Sequence, residues 1–283
     1  MGFLDDPVSG VSANITTVDQ ANPNLKPEES DTYTVGFVLT PASIPGLSLA
    51  MDYYSIKIEG AISSGLGASQ LVDACIASNG TSADCDQVIR RTPTSFPDFV
   101  IAQEGNFAAF ETAGIDVELS YTTQAFGGEL GLHGYLNYLD TYTEQTYPTS
   151  PVLDYRGAGH ITGSLGSGRP EFMGTLNVTY KRNAFSAALT EQYIHSLDLK
   201  TVGNPAAKFN PNSINAVNYI DLSLMYDFGF GDSKAQAFVT INNLMDKEPP
   251  LVPTTLPSSS PVTIIGVYDH IGRAYVAGIR MEL

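Results

Sequence analysis

Hydrophobic and polar residues alternate one by one over long stretches of this chain. In residues 111–121, one face carries Ala113, Ile115 and Val117, and the opposite face carries Thr112, Asp116 and other small or polar residues. Successive side chains of a β-strand point to opposite faces, so strict alternation is typical of a strand with one apolar and one polar face. Four further stretches repeat the pattern: 129–138, 170–180, 217–228 and 271–283.

The alternation predicts nine strands separated by connections of two kinds. The strands are 31–40, 47–59, 111–125, 129–145, 170–181, 184–198, 216–228, 234–246 and 267–283. Short connections (41–46, 126–128, 181–183, 229–233) alternate with long ones (60–110, 146–169, 199–215, 247–266), and 1–30 is in phase as another long loop. Long and short connections at opposite ends of ten-residue strands are typical of a transmembrane β-barrel, with extracellular loops and periplasmic turns. The fold class is therefore all-β and antiparallel.

Two other features favour a membrane barrel over a soluble sandwich. Tyr121, Tyr180, Tyr226 and Phe228 lie at strand ends beside short turns, where an interfacial aromatic girdle is expected. The polar faces carry many Gly, Ser, Thr, Asn and Asp residues, which suit a water-filled lumen better than a dry core. One helix-like segment, 67–78, lies inside the long loop 60–110, and we interpret it as a small packed insertion.

Charge limits the classes of partner. Charged residues make up 16% of the 283, below the ~25% of soluble domains, and the formal net charge is −16. No basic stripe is present to neutralise phosphates, so no nucleic-acid partner is expected. The acidic residues form either a solvated surface or an outer mouth that attracts cationic or metal-chelate ligands.

The two cysteines, Cys75 and Cys85, are close in sequence in a segment rich in small polar residues. We expect a local disulfide in an exposed loop, which implies an oxidising compartment. A zinc site would need two more ligands, and neither His nor Cys lies nearby.

No other residues form a recognised chemical site. The four histidines, His133, His160, His195 and His270, are far apart, and no nucleophile elbow, P-loop or dinucleotide fingerprint occurs. Strand carboxylates that could line a lumen are Asp52, Asp116, Glu118, Asp140 and Asp221. Asp116 and Glu118 share a face, as a glycosidase pair would, but lumen lining is the favoured interpretation. We expect no catalytic, cofactor or metal residues.

Three segments resemble TonB-dependent receptors. Asn22–Tyr33 (NPNLKPEESDTY) looks like the family's segment before a mid-barrel strand. Val239–Lys247 is similar to its penultimate strand, written V-x-N-L-x-D, and Gly272–Arg280 looks like its last strand. With 47–62, the likeness runs through nearly the whole chain.

The resemblance implies the last nine strands of a 22-stranded barrel that encloses an N-terminal plug. On this interpretation 1–30 is an extracellular loop and 31–283 is the C-terminal part of the barrel, without the plug or the early strands. The implied partners are outer-membrane lipid, the TonB complex through the plug, the barrel-assembly machinery through the C-terminal strand, and a small-molecule ligand. The last residue is Leu283, where the family usually has Phe.

The resemblance further implies energised uptake of a scarce ligand, such as a siderophore, cobalamin or an oligosaccharide, across the outer membrane of a Gram-negative bacterium. Two other classes stay open at this point. One is a passive porin or adhesin barrel, and the other is a secreted β-sandwich enzyme or lectin. No run of about 18 apolar residues predicts a spanning helix, and the first residues lack the features of a signal peptide.

Overall fold

The computed structural model describes residues 2–160, 167–200, 212–230, 233–252 and 263–282. Nearly all of the regular structure is β. The chain has one α-helix, α1 (Ala68–Ala77), and one 3-10 turn (Ala83–Gln87) within these ranges. The strands in chain order are β1 Gly2–Asp6, β2 Val11–Ile15, β3 Thr17–Gln20, β4 Glu29–Leu39, β5 Leu47–Ser63, β6 Val88–Ile89, β7 Phe99–Gln103, β8 Gly105–Ala125, β9 Gly128–Gln145, β10 Leu153–Asp154, β11 Ala158–His160, β12 Ser167–Gly168, β13 Phe172–Arg182, β14 Phe185–Ile194, β15 Leu197–Lys200, β16 Ser213–Ile214, β17 Val217–Phe230, β18 Ser233–Asn242 and β19 Ala274–Glu282.

Nine of these strands pair in chain order, as β4-β5-β8-β9-β13-β14-β17-β18-β19, and short β10 adds to β9. The nine strands correspond one for one to the nine predicted from the alternation. The antiparallel register is continuous: β13 and β14 pair from Met173 with Ile194 to Arg182 with Phe185. Among the described residues, the outer strands β4 and β19 are each paired on one side only.

Two of the short connections are tight hairpins. Phe126 and Gly127, between β8 and β9, have φ of 55° and 76°, and Asn183, between β13 and β14, has φ of 52°. Two successive residues with positive φ form a turn whose twist matches that of paired strands. Short turns and long strands together fix the register, so each side chain keeps its face along the whole sheet.

The chain divides into two compact units. The first comprises Met1–Asp31, Lys57–Glu111 and Glu144–Val152, and the second comprises Thr32–Ile56, Thr112–Thr143 and Leu153–Leu283. Strands β4, β5, β8 and β9 contribute residues to both. The first unit has a small core in which α1 packs on short strands, formed by Leu4, Ile15, Leu71, Val72, Val88 and Val100.

The second unit has a core of its own, which includes Ile194 at the end of β14 and Val217 at the start of β17. Strand β11 pairs with β12 and β15, and β15 pairs with β16. The buried residues of this core are Ile194, Leu197, Leu199, Ile214, Val217, Tyr219, Val252, Ile264 and Tyr268. Long connections that bury apolar side chains in this way fold as packed elements and not as free loops.

Several sequence predictions need correction at this level. Segment 60–110 was predicted as a loop with one packed piece, yet with 1–31 and 144–152 it forms a compact unit. The predicted strand 184–198 ends at Ile194, and β15 starts a separate sheet. The predicted strand 267–283 starts at Ala274, because Ile264 and Tyr268 turn into the core before it. Leu283 and parts of the predicted connections, at 161–166, 201–211, 231–232 and 253–262, lie outside the described residues.

Candidate functional site

The polar face of the sheet holds a hydrogen-bonded set of side chains on β5, β8 and β9. The Asp116 carboxylate accepts hydrogen bonds from the Tyr135 hydroxyl (2.9 Å) and from Asn137 Nδ2 (2.7 Å). Asn137 Nδ2 also lies 3.4 Å from the Tyr54 hydroxyl oxygen. These residues come from three neighbouring strands, and the register puts them on one face. We call this set the Asp116 cluster.

The same face carries further polar pairs. His133 Nε2 lies 3.0 Å from Glu118 Oε1, and both side chains are more than half exposed. Asn177 donates to Thr190 (2.8 Å), Ser223 and Thr240 share a hydrogen bond (3.0 Å), and Gln236 donates to Asp227 (2.8 Å). Exposed pairs of this kind contribute little to stability. They make a wet, hydrogen-bonding surface, as a lumen requires.

The opposite face is apolar and exposed. Its outward side chains include Leu136, Leu176, Leu189, Leu224, Tyr226, Val239 and Ile279, each between 37% and 66% exposed. In water such a surface would cause aggregation, so it needs lipid or another apolar cover. An antiparallel sheet with one wet and one apolar face is typical of the wall of a transmembrane β-barrel.

The motif residues at the end of β18 have a structural role. Asn243 is 1% exposed and has φ of 50°. Its backbone N–H donates to Asp221 (2.7 Å), its Nδ2 donates to the Lys247 carbonyl (2.9 Å), and its Oδ1 accepts from the Lys247 N–H (2.8 Å). Asp246 accepts from the backbone N–H of Arg273 (3.2 Å) and forms an ion pair with its guanidinium (3.3 Å). The two family-like segments 239–247 and 272–280 thus fasten the start of β19 to β18.

In the first unit, Asp6 and Arg90 form a buried bidentate pair. Arg90 Nη1 and Nη2 lie 2.6 and 2.8 Å from the two carboxylate oxygens, and the Asp6 side chain is wholly buried. Ser9 Oγ also donates to the carboxylate (2.6 Å). The hydrogen bond from Arg90 holds the pKa of Asp6 well below its usual range, despite the opposing effect of burial.

Two other contacts fix the loop segments of the first unit. Cys75 and Cys85 have their Cα atoms 4.8 Å apart and their sulfur atoms at bonding distance. The Tyr147 hydroxyl donates to Asp84 (2.6 Å), and its ring lies 4.8 Å from that of Phe107. Burial, with this hydrogen bond, raises the pKa of Tyr147 to about 12.

A polar groove of about 580 Å³ lies on the first unit. Asn22 Nδ2 donates to the Glu104 carbonyl (2.8 Å) and Gln103 Nε2 donates to the Ala21 carbonyl (3.0 Å), which fixes the two walls. The volume is within the range of small-ligand sites, about 300–1,000 Å³. The groove is lined by Asp19, Gln20, Ala21, Asn22, Leu25, Ser64, Ala102, Gln103 and Glu104.

The carboxylates and histidines considered for catalysis or metal binding do not form a catalytic or metal site among the described residues. Asp116 and Glu118 are engaged by Tyr135, Asn137 and His133, and not by an opposing carboxylate. Across the described ranges, no three His, Cys, Asp or Glu side chains group closely enough to hold a metal ion. No helix in the described part of the chain has the length and hydropathy to cross a membrane.

Sequence reasoning missed the Asp6–Arg90 pair and the polar groove. Asp6 and Arg90 are 84 positions apart, and neither lies in a regular pattern. The only available signal was the presence of two adjacent arginines, Arg90 and Arg91, in an otherwise acidic region. The groove is formed by residues 19–25, 64 and 102–104, which are far apart in the chain, so no sequence motif predicts it.

The chain belongs to the TonB-dependent receptor family. Residues 3–244 match the family model described as "TonB dependent receptor-like, beta-barrel". Members of this family are transporters in the outer membrane of Gram-negative bacteria, and not enzymes, so the chain is an outer-membrane protein. No curated protein matches the chain.

Solved structures with the same fold include three receptors. A mutant of the ferric enterobactin receptor from Pseudomonas aeruginosa has TM-score 0.58 and 14% identity, over 92% of this chain and 32% of that one. The siderophore receptor PirA from Acinetobacter baumannii has TM-score 0.55 and 13% identity, over 92% and 32%. The FrpB iron transporter from Neisseria meningitidis has TM-score 0.53 and 11% identity, over 93% and 32%. The chain thus spans about a third of the length of these structures.

Proposed function

We propose that the receptor that carries this chain takes up a scarce iron chelate of the siderophore class, energised through TonB. Family membership supports transport across the outer membrane. The similar structures are a ferric enterobactin receptor, a siderophore receptor and an iron transporter. At 11–14% identity the likeness shows the fold alone, so the cargo of this chain is our inference.

The observation that carries the proposal is the carboxylate-bearing polar face. The Asp116 cluster, Glu118 and Asp227 present hydrogen-bond acceptors along the face that borders the lumen. The chain as a whole has a formal net charge of −16, and a carboxylate-bearing face repels polyanions and attracts cationic or uncharged donors. We therefore favour a neutral or cationic chelate over a polyanionic one, and over cobalamin or an oligosaccharide.

Three partners follow from the proposal. The TonB complex would act through a plug domain, as the family resemblance implies. The barrel-assembly machinery would engage the C-terminal strand β19. Outer-membrane lipid would cover the apolar face, which is exposed on the strands named above.

The test is uptake of radioactive iron in a strain that depends on this receptor. We expect a neutral trihydroxamate chelate to be taken up, and a polyanionic tricatecholate chelate to be taken up poorly. Uptake should stop when either the receptor or TonB is deleted. Entry that continues without TonB would instead indicate a passive channel, and equal entry of both chelates would contradict the electrostatic argument.

A matched pair of variants tests the role of the polar face. The double variant Asp116→Asn with Glu118→Gln keeps the shape of the lumen and removes two charges. It should reduce the difference in iron uptake between the two chelates. Thr175→Ser, on the same face, changes no charge and should leave the difference intact.

A further inference from the structure

Three hydroxyl groups in the core of the second unit have no hydrogen-bond partner among the described residues. They belong to Tyr219, Thr263 and Tyr268, which are 5%, 9% and 2% exposed. Buried hydroxyl groups nearly always have a partner, because an unpaired one has given up its hydrogen bonds to solvent without replacement. Three exceptions within one core therefore need a common explanation.

The three residues join a wall strand to the connection that leads into the last strand. Tyr219 lies four positions before Ser223 on β17, so both side chains are on the polar face. Thr263 and Tyr268 lie between β18 and β19, on either side of Ile264, whose carbonyl accepts a hydrogen bond from the Tyr268 N–H (3.0 Å). Tyr219, Ile264 and Tyr268 belong to one buried cluster. The connection thus packs on the lumen side of the wall and brings its hydroxyl groups close to that of Tyr219.

The tyrosine protons are the atoms that need a partner. Burial raises the pKa of Tyr268 to about 12, and the neighbouring Tyr219 adds to the increase, so Tyr268 keeps its proton at neutral pH. The Asp269 backbone N–H approaches the Tyr219 oxygen without completing a hydrogen bond, and as a donor it could not bind the Tyr219 proton. The Asp269 carboxylate instead accepts from the Ile271 N–H (2.9 Å) and from Asn243 Nδ2 (3.4 Å). Within the described ranges, no carboxylate or carbonyl accepts either tyrosine proton.

The chemistry of the surroundings decides which small molecule fits. The other residues of the buried cluster are Ile, Leu and Val, so an anion would lie near the Asp269 carboxylate without a cation to balance it. A metal cation would bind the lone pairs of the hydroxyl oxygens and leave their protons unpaired. Water both accepts and donates, and a buried water molecule typically makes about three hydrogen bonds. Three hydroxyl groups match that requirement.

We propose that this core encloses one ordered water molecule, bound by the hydroxyl groups of Tyr219, Thr263 and Tyr268. The water accepts the protons of the two tyrosines and donates to the Thr263 oxygen. It links the lumen side of β17 to the connection before β19, and so holds that connection in place. The site is independent of the cargo and of the proposed function.

The first test is hydrogen exchange of the complete receptor in phosphatidylcholine vesicles, measured by mass spectrometry of peptides that cover 213–222 and 263–273. Tyr219→Phe and Tyr268→Phe each remove one hydrogen bond to the water. We expect exchange in both peptides to become about fivefold faster, the effect of one net hydrogen bond. Because the two tyrosines share one water molecule, the double variant should exchange more slowly than the product of the single effects predicts.

Tyr226→Phe is the matched control. Tyr226 lies on the same strand but on the apolar face, and it is more than half exposed. Its replacement should change exchange in neither peptide. Heat-modifiability on a gel verifies that every variant has assembled before it is scored.

The direction of the change separates a hydrated site from a dry one. If the hydroxyl groups were buried without water, each Tyr→Phe change would remove an unpaired group and would slow the exchange. If each hydroxyl group had its own acceptor in the protein, the two single effects would multiply in the double variant. Either result would overturn the proposal.

A crystal structure of the complete receptor gives the second measurement. We expect a water peak about 2.8 Å from both tyrosine oxygens, and its loss in the double variant. A protein carbonyl or side chain in that position would contradict the proposal.

Discussion

At the scale of single residues, Asn243 shows why a family-like motif has the residues it has. Its side chain satisfies both the N–H and the C=O of Lys247, and its backbone N–H reaches Asp221. Its φ of 50° lies in the left-handed region that Asn tolerates better than most residues. A buried amide with several partners is expensive to replace, because each lost bond leaves a buried group unpaired.

Replacement of Asn243 by Ala should therefore destabilise the barrel by ~2–4 kcal/mol, combining unpaired groups and backbone strain. Asn242→Ala is the control, since Asn242 is exposed one position earlier. Chemical denaturation of the complete receptor in lipid vesicles measures both. Equal midpoints for the two variants would show that the Asn243 hydrogen bonds are not structural.

The Asp6–Arg90 pair predicts a dependence of local stability on pH. Because the folded pKa of Asp6 lies below its unfolded value, its contribution is complete above the ordinary pKa of ~3.9. It is lost as the pH falls below that value toward the lower folded pKa. Hydrogen exchange of β1 and β2 should accelerate below pH ~4 in the wild type, and Asp6→Asn should flatten this dependence.

Arg90→Ala tests the same pair by removing the cation instead of the carboxylate. It leaves a buried carboxylate without its cation and should cost ~3–5 kcal/mol at neutral pH. Arg91 also forms an ion pair, with Asp98 at 3.0 Å, but its side chain is 82% exposed. Arg91→Ala should change local stability little. An unaltered exchange rate in Arg90→Ala would contradict the structural role of the pair.

The proposed disulfide between Cys75 and Cys85 is tested by counting thiols. Receptor exported to the outer membrane and denatured without reductant should react with no thiol reagent, and with reductant it should react at both positions. Two reactive thiols before reduction would refute the bond. We expect the bond because the Cα atoms of Cys75 and Cys85 lie 4.8 Å apart, within the range that a disulfide spans.

At the scale of elements, alternation predicted the nine long strands and failed on the short ones. A strand of ten or more residues with one face in lipid must alternate throughout, so its pattern is visible. Strands of two to five residues, such as β3 and β11, pair with β7 and β15, which lie far along the chain. The helix α1 was visible because Leu71, Val72 and Ile76 follow helical spacing. Contacts within the candidate site, such as Asp116 with Tyr135, follow from register, which the sequence implies only once the turns are known.

The two faces of a strand should respond differently to charge. Leu222 lies on the apolar face of β17, and the next residue, Ser223, lies on the polar face with Thr240. Leu222→Arg should destabilise the barrel by ~2–4 kcal/mol near the bilayer midplane, whereas Ser223→Arg should cost far less. Denaturation in vesicles compares them, and Leu176→Arg with Thr175→Arg repeats the test on β13. Equal losses on both faces would indicate a sheet buried on both sides.

At the scale of the whole molecule, both outer strands of the described sheet need partners. Tyr33, Val35 and Phe37 of β4, and Tyr275 and Ile279 of β19, are each more than half exposed. An unpaired backbone group in lipid costs several kcal/mol, so an open edge is not tolerated there. The strand count agrees, because the nine predicted strands do not give the even number of single-chain bacterial barrels.

Expression of residues 1–283 behind an added signal peptide should therefore yield no heat-modifiable monomer and no chelate uptake. Joined to upstream strands and a plug, the same residues should give both. A compact, heat-modifiable monomer of 1–283 that transports by itself would show that the sheet closes without further strands.

The alternation of tight hairpins with long connections also determines where this protein can change over generations. At the short turns, positive φ at Phe126, Gly127 and Asn183 leaves few acceptable residues and no room for insertions. The connections at the other end carry separate small cores, so their outer residues can vary while the strands below keep their register. Antibodies, phages and toxins that meet the cell from outside encounter only that end. The protein can therefore alter the surface by which it is recognised, while the wall that holds it in the membrane stays the same.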